Sequence, residues 1–239
     1  MSKQFVEWLA RKSIVLTGEQ ADQFERYYEL LIEWNKKMNL TGIIEREQVY
    51  VKHFYDSVSL SFFVPLHHVH TLADIGSGAG FPGVPLKILF PHLKLTIVDS
   101  LNKRIQFLNH LAAELGLQDV ACVHARAEDA GRDRTLRDRF DLVTARAVAR
   151  MAVLNELCLP FARPGGLFVA MKGTDPSEEI QEAKFSLAQL KAVLQDEFRF
   201  QLPVEQAERH LIVVKKQDAT PSMYPRKAGT PLKSPLLSK

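Results

Sequence analysis

Cysteine is nearly absent from this 239-residue chain: Cys122 and Cys158 are the two present. Two cannot build a disulfide framework or a four-cysteine zinc site. Both sit among apolar neighbours and read as small buried hydrophobes in a reducing compartment. No apolar run approaches the 18 or so residues that span a bilayer. The opening stretch MSKQFVEWLARKS carries charges through its apolar part, so it does not read as a secretory leader. Glycine and proline are modest at 12 each, and net charge is only +3. With 46% hydrophobic and 25% charged residues, the composition excludes collagenous and disordered chains. The expectation is one cytoplasmic globular protein with a sizeable core and a small appendage.

The charge that is present lies unevenly. Residues 215–239 hold Lys215, Lys216, Arg226, Lys227, Lys233 and Lys239 against Asp218, so the rest of the chain is slightly acidic. A basic end on a near-neutral body suits a local polyanion contact, RNA or DNA, or serves as a solubilising tail.

Residues 1–65 read as a helical extension. Phe24, Tyr27, Tyr28, Leu31, Trp34 and Met38 recur at helical spacing and form a core stripe. Thr17 with Gln20 supplies a capping box at the start of that helix, and Gly42 lies just past its far end. A second helix is expected over 46–62. From residue 71 short β-rich runs alternate with helical patterns: 71–75, 94–99, 120–124, 140–145 and 167–171. Between the second and third of these, residues 102–116 align Ile105, Leu108, Leu111, Ala112 and Leu115 on one face and stop at Gly116. Such alternation predicts a parallel sheet covered on both faces. A helix is expected at about 176–196. The runs 198–204 and 210–216 are too close for a crossover and should pair antiparallel at the sheet edge. The expected organisation is therefore a helical extension (1–65), a main domain (66–217) and an irregular, proline-rich basic tail (218–239) on or near it. HHVH at 67–70 lacks metal-ligand spacing, and RDRTLRDR at 132–139 mixes charge signs as a solvated loop does.

The densest feature is LADIGSGAGFPGVP at 72–85, with four glycines and two prolines. Two registers fit it. Residues 78–83 match the G-x-G-x-x-G fingerprint of dinucleotide sites. Asp74, Gly76, Gly78 and Gly80 match the D-x-G-x-G-x-G pattern of S-adenosylmethionine (SAM) sites. In both, Asp99 at the end of the second strand could accept hydrogen bonds from ribose hydroxyls. A strand over 71–75 starts the tight turn at Gly76, and Pro82 brings no N–H to a phosphate cradle. Both points favour the second register without deciding it, so a nicotinamide-dependent oxidoreductase and a non-enzymatic RNA-binding assembly factor stay open at this level.

Beyond the loop, the chain resembles the ribosomal RNA small subunit methyltransferase G family, also called glucose-inhibited division protein B. The stretch from LADIGSGAGFPG through VDSLNKRIQFLNHLAAELGL carries the resemblance. NKKMNLTG, HFYDS, RAED, ARAVA, GGLFVAMKG and YPRKAGTPLKSPL extend it in order over essentially the whole length. The resemblance implies a class I SAM-dependent methyltransferase: an α/β fold with a seven-stranded, mostly parallel sheet. It implies SAM as cofactor and 16S rRNA or the small ribosomal subunit as partner, with no membrane and no obligate protein partner. Carried over by position, cofactor contacts fall on Gly76, Phe81, Ala127, Glu128 and Arg146, joined on pattern and geometry by Asp74, Gly78, Gly80 and Asp99. Lys103, Arg104, Arg226, Lys227 and Lys233 are candidates for RNA, with the basic tail and the N-terminal helices forming the RNA face. On that reading the tail serves RNA and leaves cofactor affinity largely alone.

The implied acceptor is N7 of a guanine. The place after the fourth strand reads TARAVARM, without the D/N-P-P-aromatic element used on exocyclic amines, and neither cysteine is well placed as the nucleophile that pyrimidine C5 methylation needs. Guanine N7 has an in-plane lone pair and no proton to remove. Direct in-line transfer then needs no general base, so no proton-transferring catalytic residue is expected, and Arg146 would act by positioning.

Overall fold

The computed structural model describes residues 2–146, 148–173 and 175–238. Strands β1 (Thr71–Ile75), β2 (Lys94–Asp99), β3 (Val120–His124), β4 (Phe140–Arg146), β5 (Ala162–Lys172), β6 (Ala192–Gln201) and β7 (Glu208–Lys216) form a seven-stranded sheet. Its order is β3-β2-β1-β4-β5-β7-β6. The first five strands are parallel, and β7 runs antiparallel between β5 and β6. The period-two alternation of a strand divides the apolar residues into two cores. Leu72, Leu142, Val169 and Val213 face one, and Ala73, Val143, Phe168, Ile212 and Val214 face the other. Each face is therefore covered, as the near-continuous apolar runs demand.

The first core is roofed by the N-terminal helices. Thr17 caps the helix Gly18–Met38 with the reciprocal Gln20 bond, and Asn39, at φ 47, closes it. Gly42, expected at this end, lies beyond the cap; asparagine tolerates the left-handed conformation well enough to serve. Phe5, Phe24, Tyr27, Tyr50 and Phe54 are buried with ring centroids 5.0–5.3 Å apart. The helix expected over 46–62 is present but not uniform. It starts α-helical at Arg46–Val49, widens into a π-turn at Tyr50–Tyr55, and tightens through Asp56–Val58 to Ser59–Phe62. Single π-turns of this kind cluster at functional sites.

The second half departs further from the sequence reading. The expected helix at 176–196 is two short ones, Ser177–Glu182 and Lys184–Gln189. The chain then reverses at Lys191 (φ 57) and enters β6 at Ala192, six residues ahead of the expected strand. Pairing with β7 from Ala192↔Lys216 to Gln201↔Glu208 overrides the local helical tendency.

The C-terminal segment is not irregular throughout, and part of it is buried. It carries a short helix, Thr230–Lys233, and buries Tyr224 and Leu236 in the second core. Lys216 is fully buried and donates to Asp138 (3.0 Å), Thr220 Oγ1 (2.6 Å) and the carbonyls of Leu159 (2.7 Å) and Ala162 (3.1 Å). Arg137, read from RDRTLRDR as part of a solvated loop, clamps the carbonyls of Gly131, Thr220, Pro221 and Tyr224. Local charge mixing could not reveal those distant carbonyl partners.

Lys216→Met keeps the hydrocarbon stem but strands Asp138 and two buried carbonyls. It should cost about 3–5 kcal/mol, as removal of one partner of a buried ion pair does. A lower urea midpoint with unchanged slope, accompanied by faster proteolysis after residue 218, is the expected outcome.

Candidate active site

Strand β1 ends on Ile75 and the glycine loop follows, opening into the helix Gly83–Leu89. Gly76, Gly78 and Gly80 have φ values of 72, 63 and 101, a region other residues enter only under strain. Their surroundings differ. A Cβ on Gly80 would stand 2.6 Å from the Tyr27 hydroxyl and 2.9 Å from Val84, whereas one on Gly78 meets nothing within 4 Å. The tightest glycine is thus required by the N-terminal helix behind the loop and not by a ligand in front of it. Tyr27 also donates to the Ala79 carbonyl at 2.6 Å.

The loop amides are largely committed. Gly76 N–H donates to Val98 O, Gly80 and Phe81 N–H to Ser77 O, Gly78 N–H to Asp99 and Gly83 N–H to Asp74. Five donors that could cradle a phosphate point at the protein instead, and Pro82 has none. Asp74, read from the sequence as a cofactor residue, is buried. It holds the loop closed through Ser77 Oγ (2.5 Å) and Gly83 N (2.7 Å). Its other oxygen is buried without a partner. Burial pushes its pKa up to about 6, against the pull of those two hydrogen bonds.

Over the C-terminal ends of β1 and β2 lies a cleft of about 440 Å³, where the strand order reverses and open α/β sheets bind ligands. Gly76, Asp99, Ala127 and Glu128 line it together with the apolar Ile75, Val98, Val153 and Leu157. The Asp99 carboxylate accepts from Gly78 N–H (3.0 Å) and Leu101 N–H (2.9 Å). Arg104, a candidate RNA residue on sequence grounds, lines this cleft and reaches Asp99 at 3.4 Å. Gly229 and Leu232 close the far side. Gly229 N–H donates to Glu128 Oε1 at 2.7 Å, so the Glu128 side chain holds the C-terminal segment.

Arg146 lines a neighbouring cleft, and Phe81 is buried behind it. The Phe81 ring stacks on Tyr27 (5.4 Å) and His53 (4.6 Å), and the Arg146 guanidinium lies 4.9 Å from its centroid. Lys52, His53, Asp56, Arg146, Lys172 and Arg209 line this second, basic cleft of about 260 Å³. Asp56, buried at the centre, bonds Arg146 (3.1 Å) with one oxygen and Arg209 (3.0 Å) with the other. The π-turn brings the carbonyls of Lys52 and His53 to the same Arg146 nitrogen at 3.3 and 3.4 Å. Arg146 Nη2 stands 3.4 Å from His53 Nδ1, and His53 Nε2 is 2.8 Å from Thr41 Oγ1. A guanidinium only donates, so Nδ1 accepts and the ring proton sits on Nε2, facing Thr41. Burial and the Arg146 charge pull the His53 pKa down to about 3. A shallower groove lined by Val148, Ala149, Met171 and Lys172 joins the two clefts.

The structure therefore brings Gly76, Asp99, Ala127 and Glu128 together, seats Arg146 and Phe81 next door, and leaves Asp74 and Gly80 as supports behind the loop. Lys103, Lys227 and Lys233 are exposed. Arg226, counted among the RNA candidates, is turned inward: its guanidinium bonds the buried Glu156 at 2.7–3.2 Å and Ser234 O. A basic run in sequence does not reveal a buried acid 70 residues away. His53, Asp56, Lys172 and Arg209 were missed as site residues, although HFYDS and VAMKG contain three of them.

The fold is shared with solved proteins. The StiE O-MT fragment matches with a TM-score of 0.58 at 16% identity over 74% of this chain and 78% of that one. PigF, solved with SAH, matches at 0.50 and 14% over 67% and 54%. At such identities the likeness concerns the fold alone, which is the class I methyltransferase fold. The family is narrower. A family model described as rRNA small subunit methyltransferase G matches residues 20–212. Proteins named ribosomal RNA small subunit methyltransferase G from Exiguobacterium sibiricum and Staphylococcus aureus strain Newman are 55% and 53% identical to this chain. Those alignments cover 98% of this chain with 98% and 99% of theirs. The chain belongs to the rRNA small subunit methyltransferase G family.

Two outcomes follow from the loop and its backing. Gly78→Ala should cost about 1–2 kcal/mol for its left-handed backbone, and Gly80→Ala should cost at least about 1 kcal/mol more for its clash with Tyr27. Urea midpoints of the two variants measure the difference. His53 binds its proton less well folded than unfolded, so its contribution favours the native state above the unfolded value near 6.5 and is lost as pH falls toward 3. The stability gap between wild type and His53→Gln should therefore shift in the variant's favour through that window.

Proposed function

We propose that this protein transfers a methyl group from SAM to N7 of a guanine in 16S rRNA, in the cytoplasm, on the RNA or within the small subunit. The inward-turned loop amides carry the cofactor half of this reading, because five of them are spent on acceptors within the protein and are not free for the pyrophosphate of a dinucleotide. A phosphate-free cofactor with a ribose and a purine suits a cleft that offers Asp99, the backbone of Ala127 and Glu128, and apolar walls. Gly76, Phe81 and Arg146 are assigned to the methionine end, where a guanidinium suits a carboxylate; Asp74, Gly78 and Gly80 keep the loop in shape. When bound, SAM supplies a methyl group activated by a sulfonium.

The RNA half rests on the groove leading into the basic cleft. Lys52, Lys172 and Arg209 would take backbone phosphate there in exchange for their present partners Glu205, Glu179 and Asp56. Its titratable groups are poorly suited to remove a proton. Asp56 is bonded by two arginines, and His53 Nδ1 faces Arg146. Burial pushes the thiol of Cys122, in β3, up to about 11, which does not favour a cysteine nucleophile. Guanine N7 asks for none of these. The protein's work is then alignment, which can supply roughly 7–11 kcal/mol of a barrier.

Incubation with unmodified small subunits and labelled SAM, followed by mass mapping, should place the label on guanine N7. The single-turnover rate should be flat between about pH 7 and 8.5, above the titration of the loop carboxylate Asp74, since no base titrates there. Methyl on an exocyclic amine or a pyrimidine carbon, or a rate that follows a group titrating near neutrality, would overturn the reading.

A further inference from the structure

We infer that the C-terminal segment is a wall of the cofactor cleft, with Leu232 covering the purine end, so that cofactor binding and the docking of this segment are coupled. This rests on the SAM reading above and departs from the sequence expectation that the tail serves RNA alone. Leu232 is 69% exposed although it lines a cleft whose other walls include Val98, Val153 and Leu157. It lies beside Ala127 and Glu128, the backbone assigned to the purine. An apolar side chain left in water at the mouth of an apolar cleft gains from a flat hydrophobic ligand beneath it.

The position of Leu232 is built, not incidental. Three residues earlier, Gly229 at φ 80 donates to Glu128 Oε1, an acceptor on the cleft's own wall. Arg226 bonds the buried Glu156 on the helix Met151–Cys158, which also supplies Val153 and Leu157. Pro231 is buried next to Leu232. The segment is thus pinned on both sides of the cleft while one leucine stays uncovered. Whatever occupies the cleft and touches Leu232 stabilises the docked segment, and undocking weakens the ligand by the same factor.

Calorimetry of the full chain with SAM and with SAH, and limited trypsin digestion at Lys227 and Lys233, test this without methyl transfer. Leu232→Ala should weaken both ligands by about tenfold, the loss of one partly buried leucine contact. Ligand-free melting should be unchanged, because the side chain is exposed. Leu237→Ala, equally on the segment but off the cleft, should bind as wild type does. Either ligand should slow cleavage at Lys227 and Lys233 in wild type, and less so in Leu232→Ala. Wild-type affinity in Leu232→Ala, weakening for SAM but not for SAH, or cleavage indifferent to ligand would overturn the inference. Absence of any SAM binding to wild type would instead overturn the cofactor reading itself.

Discussion

The seating of the glycine loop is the constraint on which the rest of the site depends. From beneath, Asp74 ties the loop's start to the helix that leaves it. From behind, Tyr27 holds the Ala79 carbonyl and fills the space a Cβ on Gly80 would need. Phe81 carries the same contact onward, since its ring lies against both Tyr27 and His53. The N-terminal helices are therefore not an appendage. They are the rear face of the loop and, through Asn35, Thr41 and His53, the support for Arg146.

Asp56 shows how the basic cleft is kept in order. Two guanidinium groups bonded to the same side chain would repel each other; one buried carboxylate, accepting from each with a different oxygen, fixes both. The π-turn adds carbonyls to the same cluster.

What was legible in the sequence follows range in the chain. The parallel strands, the helix ending at Gly116 and the capped Thr17–Gln20 start are short-range patterns, and the structure has them. The glycine loop was legible as a nucleotide site, but its amide partners decide which kind, and Asp99 lies 21 residues from Gly78. Strand β6 was read partly as helix because its pairing with β7, and not its own residues, makes it a strand. The C-terminal segment was read as an irregular basic tail on or near the main domain, without its partners, because Arg137 and Glu156 hold it through contacts 70 to 87 residues apart. Charge counted along the chain cannot separate a cation in water from one clamped to buried carbonyls.

Glu128 and Gly229, which meet at the cleft over β1 and β2, are 101 residues apart. A chain made from its N-terminus outward has the glycine loop, β2 and the Ala127–Glu128 wall long before it has Gly229 and Leu232. The cleft is therefore complete only once residues 229–232 have been made. A chain that stops short of Gly229 lacks one side of this cleft, however much of the sheet it has formed.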